Sequence, residues 1–360
     1  MKRLRIGIFL LLGTAMLLWT AEAFSFDEAR WRKTVEGQRV EDLFAPHFAD
    51  GKYFNPWLPL ERNRFWQFLK WRFSKKGEYT EEEETFRPTL ILKLRQRINA
   101  LDDTKDFIAW IGHGTFLMRL KGEFWLTDPI FSQRAVLPKR VTPPALTADD
   151  LKALTDHVHV IISHNHYDHL DTDSIRSLPA RSVIYVPRGL GELVSSLHDG
   201  TVRELDWWED INLPGGTTLV CLPTQHWSRR IRQSTNSTLW ASYMVVTPET
   251  TVYCGGDSGY FVGYREIGRR FPRITYALLP LTAYHPRWFM HYAHIDAAEA
   301  IDAFNDLGAE YFIPTQWGTF RLGDNPPGYP VLDLRRVMKR RGIDPSPFII
   351  MDLGEIREIE

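Results

Sequence analysis

One nine-residue stretch limits this 360-residue chain more than any other: Ser163-His164-Asn165-His166-Tyr167-Asp168-His169-Leu170-Asp171. It follows directly on the apolar run 158–162, whose Val and Ile content reads as a buried β-strand. His164 and His166 are two positions apart, so an extended backbone projects both imidazoles to one side. Two imidazoles on one side can hold one Zn²⁺. Asp168 and His169 follow where the chain turns, and can address a second ion close by; zinc accepts this mix of nitrogen and carboxylate oxygen. Burying so many ionisable groups without a counter-charge would be costly. The stretch therefore predicts a metal centre at the end of a strand.

A scaffold for such a centre is visible from about residue 101 onward. Short apolar runs, separated by Gly, Pro and Asp, predict strands over 107–111, 116–120, 124–126, 158–162, 183–186, 217–222, 243–246, 252–254, 276–279, 311–314 and 348–351. Helices are predicted between some of them, over 147–154, 190–197, 297–307 and 332–340. Strands beside strands with helices interspersed predict an α+β chain of two sheets covered by helices. Cys221 and Cys254 each end an apolar run; they read as two buried thiols, with a disulfide as the alternative if the runs are neighbouring strands. Lys+Arg (44) nearly balances Asp+Glu (45), which leaves no basic field for indiscriminate nucleic-acid binding.

The first hundred residues have a different texture. Lys2, Arg3 and Arg5, an apolar run and Ala21-Glu22-Ala23 predict a signal peptide over 1–23, with an uncleaved anchor as the alternative. Export would place the chain in the periplasm or at a membrane. Residues 24–100 form an aromatic and basic extension ahead of the main domain over 101–360. Within it, a helix over 62–73 interleaves Trp and Phe with Arg and Lys. That pattern suits a membrane surface, or an ordinary helix packed on the main domain. Glu81 to Glu84 read as a solvated loop or helix start, and Arg229, Arg230 and Arg232 as surface charge or an attraction for anionic lipid.

The His-x-His-x-Asp-His pattern resembles the metallo-β-lactamase fold. Further segments narrow the resemblance: Tyr53-Phe54-Asn55-Pro56-Trp57, Gly112-His113-Gly114-Thr115, Thr127-Asp128-Pro129, Gln225-His226-Trp227, Gly256-Asp257-Ser258-Gly259, Ala283-Tyr284-His285-Pro286-Arg287 and Gln316-Trp317-Gly318-Thr319-Phe320. In this order they are similar to the N-acyl-phosphatidylethanolamine-hydrolysing phospholipase D family, from about residue 53 to 320. The resemblance implies a four-layer αβ/βα sandwich with an N-terminal extension and two Zn²⁺. It implies His164, His166 and His226 on the first ion, Asp168 and His169 on the second, and Asp257 bridging. Where the family usually carries a last histidine ligand this chain has Gln316, a weaker neutral donor, and no histidine follows His294.

The activity so implied is a zinc phosphodiesterase of the phospholipase D type, cleaving N-acylated ethanolamine phospholipids through a metal-bound hydroxide. Asp168 would orient the nucleophile and His294 would act as general acid or phosphate stabiliser. Tyr284 and Arg287 are candidates for phosphate or headgroup contact, Arg287 equally for a buried ion pair. His113 and Asp128 are candidates for support behind the ligands, Asp128 alternatively for shaping a turn. A phospholipid substrate, a membrane surface and a homodimer are the partners implied. The fold alone also admits a lactone or soluble phosphodiester as substrate, or a site impaired by Gln316.

Overall fold

The computed structural model describes residues 26–60 and 64–359; the segment 1–23, expected to be a signal peptide, lies outside them. After a two-residue ribbon, β1 (Phe48–Ala49) with β2 (Lys52–Tyr53), two larger sheets form. The seven-stranded sheet runs β15 (Ile356–Glu358), β3 (Phe107–Gly112), β4 (Thr115–Leu120), β5 (Glu123–Thr127), β6 (His159–Ile161), β7 (Val183–Pro187), β8 (Thr201–Leu205). The six-stranded sheet runs β14 (Tyr311–Thr315), β13 (Tyr276–Pro280), β12 (Thr251–Cys254), β11 (Ser242–Val246), β10 (Thr218–Leu222), β9 (Asp210–Asn212).

Alternation along the strands separates the layers, because successive side chains face opposite sides of a sheet. In β3, Ile108 and Trp110 join the core that continues into the six-stranded sheet, while Phe107, Ala109 and Ile111 face the other way. In β6 and β7 the same holds for Ile161 and Tyr185 against Val160 and Ile184. The outward face is covered by Leu94 and Ile98 of the helix Leu94–Asn99 and by Leu151 of the helix Ala148–Leu154. Helices Ala297–Leu307 and Tyr329–Arg341 bury Ile301, Phe304, Leu334 and Val337 with the second sheet. The result is the four-layer α+β sandwich expected. Strands β5–β8 are mutually parallel, as are β12–β14, so several loops leave from one edge of the sandwich.

Two expectations change, and the two cysteines prove to be the buried thiols expected. The run 348–351 is no strand; only Phe348 bridges to Phe312, because Pro345 and Pro347 lack donors and Phe348 N turns back to Pro345 O. Strands β8, β9 and β15 form from polar or mixed segments that showed no apolar run. Cys221 and Cys254 flank Tyr243 from opposite sides, in register on β10, β11 and β12. With a whole strand between them they stand roughly 10 Å apart, beyond disulfide reach, and both are buried free thiols.

The N-terminal extension is tied into the sandwich by buried polar contacts. Trp31 Nε1 donates to Glu299 Oε1 at 2.7 Å, and Trp57 Nε1 to Gln225 Oε1 at 3.1 Å. Asn55, 1% exposed, donates to His226 O at 3.0 Å and accepts from Trp240 Nε1 at 3.0 Å. Replacing it leaves buried partners unmet. Asn55→Ala is expected to destabilise the fold by about 2 kcal/mol or more, read from urea denaturation; an unchanged midpoint would refute this role.

Candidate metal centre

Loops from both sheets meet at the carboxyl ends of the parallel strands. The strand β6 ends into Ser163, whose backbone N donates to Asp128 Oδ1 at 2.7 Å and whose Oγ donates to Asp128 Oδ2 at 2.7 Å. Asp128 holds a left-handed φ of 34° after β5, so the two loops lock at their first residues. The His166 carbonyl then accepts from His169 N and Leu170 N, a tight turn that brings Asp168 and His169 back toward His164. His226 follows β10, Asp257 follows β12 in a Gly-flanked turn, and His113 occupies the turn between β3 and β4.

Two donor groups result. In the first, His166 Nδ1 lies 2.8 Å from His164 Nε2 and 3.1 Å from His226 Nε2, while Asp257 Oδ2 lies 3.9 and 3.6 Å from the latter two nitrogens. In the second, Asp168 Oδ2 lies 3.0 Å from His113 Nε2 and 3.3 Å from His169 Nε2. The other oxygen of Asp257, Oδ1, is 3.3 Å from His169 Nε2, so this one carboxylate faces both groups. Two ligands about 2.0–2.1 Å from a tetrahedral ion sit on the order of 3.3 Å apart, close to these separations. His169 Nε2, Asp257 Oδ1 and Gln316 Oε1 are buried with no hydrogen-bond partner among the described residues. The donor set fits a pair of divalent metal ions.

Neighbouring groups orient the ligands from behind. His169 Nδ1 donates to Asp128 Oδ2 at 2.7 Å, His226 Nδ1 to Ala293 O at 3.2 Å, and His164 Nδ1 lies 2.9 Å from Ser163 Oγ. Burial, with the adjoining imidazoles, holds His164 well below the usual imidazole value, and burial brings His166 down to about 4. Burial also keeps His226 low despite Asp257. His169 goes the other way: burial opposes its charge, yet Asp257, Asp168 and Asp128 raise it well above the ordinary value. Burial would raise Asp168 and Asp257, but His169 and the other imidazoles hold both well below the carboxylate range. His164, His166 and His226 thus present neutral imidazoles and Asp168 and Asp257 ionised carboxylates at neutral pH, the forms that bind metal, while His169 is cationic until an ion takes the place of its proton.

The remaining sequence candidates divide. Asp128 stands behind the ligands as expected. His113, expected to support them, brings Nε2 among the ligand atoms and stands against the main chain of Gln316. Gln316, with φ 70°, donates through Nε2 to Gly256 O at 3.1 Å, and its main-chain N and O clasp His113. His294 reaches the rim, its Nδ1 3.9 Å from Asp257 Oδ2. Tyr284 does not reach the site: it is fully buried and its hydroxyl donates to Asp333 Oδ2 at 2.9 Å. Arg287 is likewise no headgroup contact. It pairs with Glu299 at 2.7 Å, Glu28 at 3.3 Å and Asp296 at 3.4 Å, and donates to His294 O at 3.1 Å. Arg230 is buried over the Tyr167 ring and donates to Asn165 O and Leu170 O, so it braces the metal loop and faces no lipid. Asn55 and Ser163 carry positioning roles the sequence reading did not assign; Ser163 stood in the metal motif itself.

A model of the β-lactamase superfamily domain matches residues 125–317, which include every ligand candidate except His113. The chain belongs to the metallo-β-lactamase superfamily. Among its relatives is an uncharacterized protein of Mycobacterium tuberculosis, 32% identical over 339 residues, covering 89% of this chain and 87% of that one. N-acyl-phosphatidylethanolamine-hydrolyzing phospholipase D 1 of Caenorhabditis elegans is 33% identical over 271 residues, 70% of this chain and 75% of that one. A metallo hydrolase from Ignicoccus hospitalis shares the fold at a TM-score of 0.55 and 20% identity, over 71% of this chain and 99% of that one. This metallo-β-lactamase-fold chain is a metal-dependent hydrolase.

Two outcomes follow for the metal centre. Elemental analysis of His113→Ala is expected to show about one metal per chain fewer than the wild type; an unchanged content would return His113 to a purely supporting role. In the chelated protein, His164, His166 and His226 resist protonation in the fold but not in the unfolded chain. Their pKa values are lowered on folding, so stability falls as pH drops below about 6.5, the unfolded imidazole value, and the loss levels off for His166 only at about 4. His169, raised on folding, instead contributes stability below about 6.5 that is lost as pH climbs through its folded value. Melting midpoints of chelated protein should peak near neutrality; a midpoint rising steadily into acid would contradict the assignment.

Proposed function

We propose that this chain is a zinc phosphodiesterase of the phospholipase D type, acting on N-acyl-phosphatidylethanolamine-like lipids and releasing N-acylethanolamine and phosphatidic acid. The observation that carries this reading is a groove of about 1110 Å³ that opens onto His166, Asp168 and Asp257 and is walled by Phe54, Leu60, Phe68, Trp71 and Met290. A polar end beside an apolar wall fits an amphiphile better than a soluble ester. The similarity to the nematode phospholipase supports the same substrate class. Zinc is favoured because imidazole nitrogen dominates the donor set.

The helix Arg64–Phe73 borders the groove and exposes Trp66 (70%) and Phe73 (84%). Aromatic rings of this kind beside Lys70 and Arg72 suit the headgroup level of an anionic bilayer. This helix would seat the enzyme on the membrane while the groove takes up the substrate's acyl chain. Bound zinc ions would lower the pKa of a water and take up charge on the phosphoryl oxygens. Asp168 would orient that water. His294 would deliver a proton to the ethanolamine oxygen as its bond to phosphorus breaks, and Arg287, through its bond to the His294 carbonyl, would hold that residue in place.

Zinc-loaded protein incubated with vesicles of N-acyl-phosphatidylethanolamine is expected to yield phosphatidic acid and N-acylethanolamine by mass spectrometry, and none in a chelated control. A zinc-replete, folded protein that forms no such products would overturn the substrate assignment. Trp66→Ser/Phe73→Ser is expected to lower turnover on vesicles while leaving metal content unchanged; equal turnover would remove the membrane role of the helix.

A further inference from the structure

At the far end of the seven-stranded sheet a second cluster of ligand-type side chains lies outside the catalytic loops. Strands β5 and β6 pair in parallel with Trp125 opposite His159, so Glu123, His157 and His159 gather where both strands begin. Four residues of extended chain separate His159 from Ser163, on the order of 13 Å, so the two groups do not share a ligand.

His157 Nε2 and His159 Nε2 are 3.4 Å apart, and each is 3.9 Å from Glu123 Oε2. Two nitrogens about 2.0–2.1 Å from one tetrahedral ion stand on the order of 3.3–3.4 Å from each other, so the imidazoles already have the required spacing. Their far nitrogens are held. His157 Nδ1 donates to Arg181 O at 2.9 Å, which leaves the lone pair on Nε2, and His159 Nδ1 lies 3.1 Å from Tyr185 OH. A backbone carbonyl or hydroxyl on the far nitrogen is the usual way a metal-binding imidazole is oriented. The His159 ring is clamped flat against Trp125, centroids 4.6 Å apart and 24° between planes. Glu123 is exposed, and a rotation of its side chain would bring Oε2 closer to both nitrogens.

We propose that Glu123, His157 and His159 form a further site for a divalent transition metal, Zn²⁺ or a cation of the same class, with its remaining position open to water. Imidazole nitrogens select Zn²⁺, Cu²⁺ or Ni²⁺ over Mg²⁺ and Ca²⁺. Without metal the same groups form a hydrogen-bonded relay, in which His159 Nε2–H donates to His157 Nε2 and Tyr185 donates to His159 Nδ1. Metal binding moves the His159 proton to Nδ1, where Tyr185 now accepts it, so neither imidazole loses a proton overall. Burial and the neighbouring His157 keep His159 at about 4, so no proton competes for it at neutral pH. The ion would staple the starts of β5 and β6 together.

The test uses full-length protein with its catalytic metals in place, equilibrated with buffered free Zn²⁺ raised to micromolar levels. Elemental analysis and melting midpoints are read for the wild type, His157→Gln and Glu123→Gln. The expected result is one zinc per chain more in the wild type than in His157→Gln, a zinc-dependent rise in midpoint present only where that zinc binds, and equal turnover in all three. Glu123→Gln should keep the site but weaken it by at least about tenfold. Equal zinc content and equal zinc-dependent midpoints in the wild type and both variants would overturn the site and leave the relay alone.

Discussion

The structure turns on charge concentrated at one buried point. Asp128, Asp168 and Asp257 surround His169, and all four are buried or nearly so. Carboxylates at such depth are tolerated only with a cation among them. In the chain itself His169 supplies one positive charge, and the remaining demand explains why so many loops converge here. Asp128 accepts from Ser163 twice and from His169 once, so the loop after β5 and the loop after β6 are fixed by the same carboxylate. Sheet layers, strand order and the tight turn at His166 all serve to bring these groups together.

How much of this was legible depends on how locally each feature is encoded. The run 164–169 carries its own geometry, since strand period and a turn place four ligands from sequence alone. The helix Ala297–Leu307 matches its predicted bounds because Asp296 caps it, Glu299 closes the capping box and Gly308 ends it in a left-handed conformation. His113 is the opposite case. Its ligand-side position depends on Gln316, 203 positions away, clasping it through main-chain atoms. Polar strands such as β8, buried on one end only, offer no apolar run to read. Tyr284 suits phosphate by residue type, but its partner Asp333 lies on a helix 49 positions on, and for Arg287 the buried ion pair, one of its two readings, is the one that forms.

The corrected residues still bear on catalysis at one remove. Arg287 links Glu28 of the extension to the His294 carbonyl and to Glu299 at the head of the helix Ala297–Leu307. Asn55 holds the His226 carbonyl in the same way from the other side of the extension. The aromatic N-terminal region is therefore both a wall of the groove and a frame for the metal loops. That double duty gives a physical reason for an extension so rich in Trp, since indole rings supply apolar area and a directed donor together.

Asp257, facing both donor groups, would stand between two bound ions. Anomalous diffraction at the zinc edge from crystals of the zinc-loaded protein tests this arrangement most directly. Two peaks are expected in this pocket, one among His164, His166 and His226 and one beside Asp168 and His169, with Asp257 between them. A single peak, or a second one away from Asp257, would contradict it.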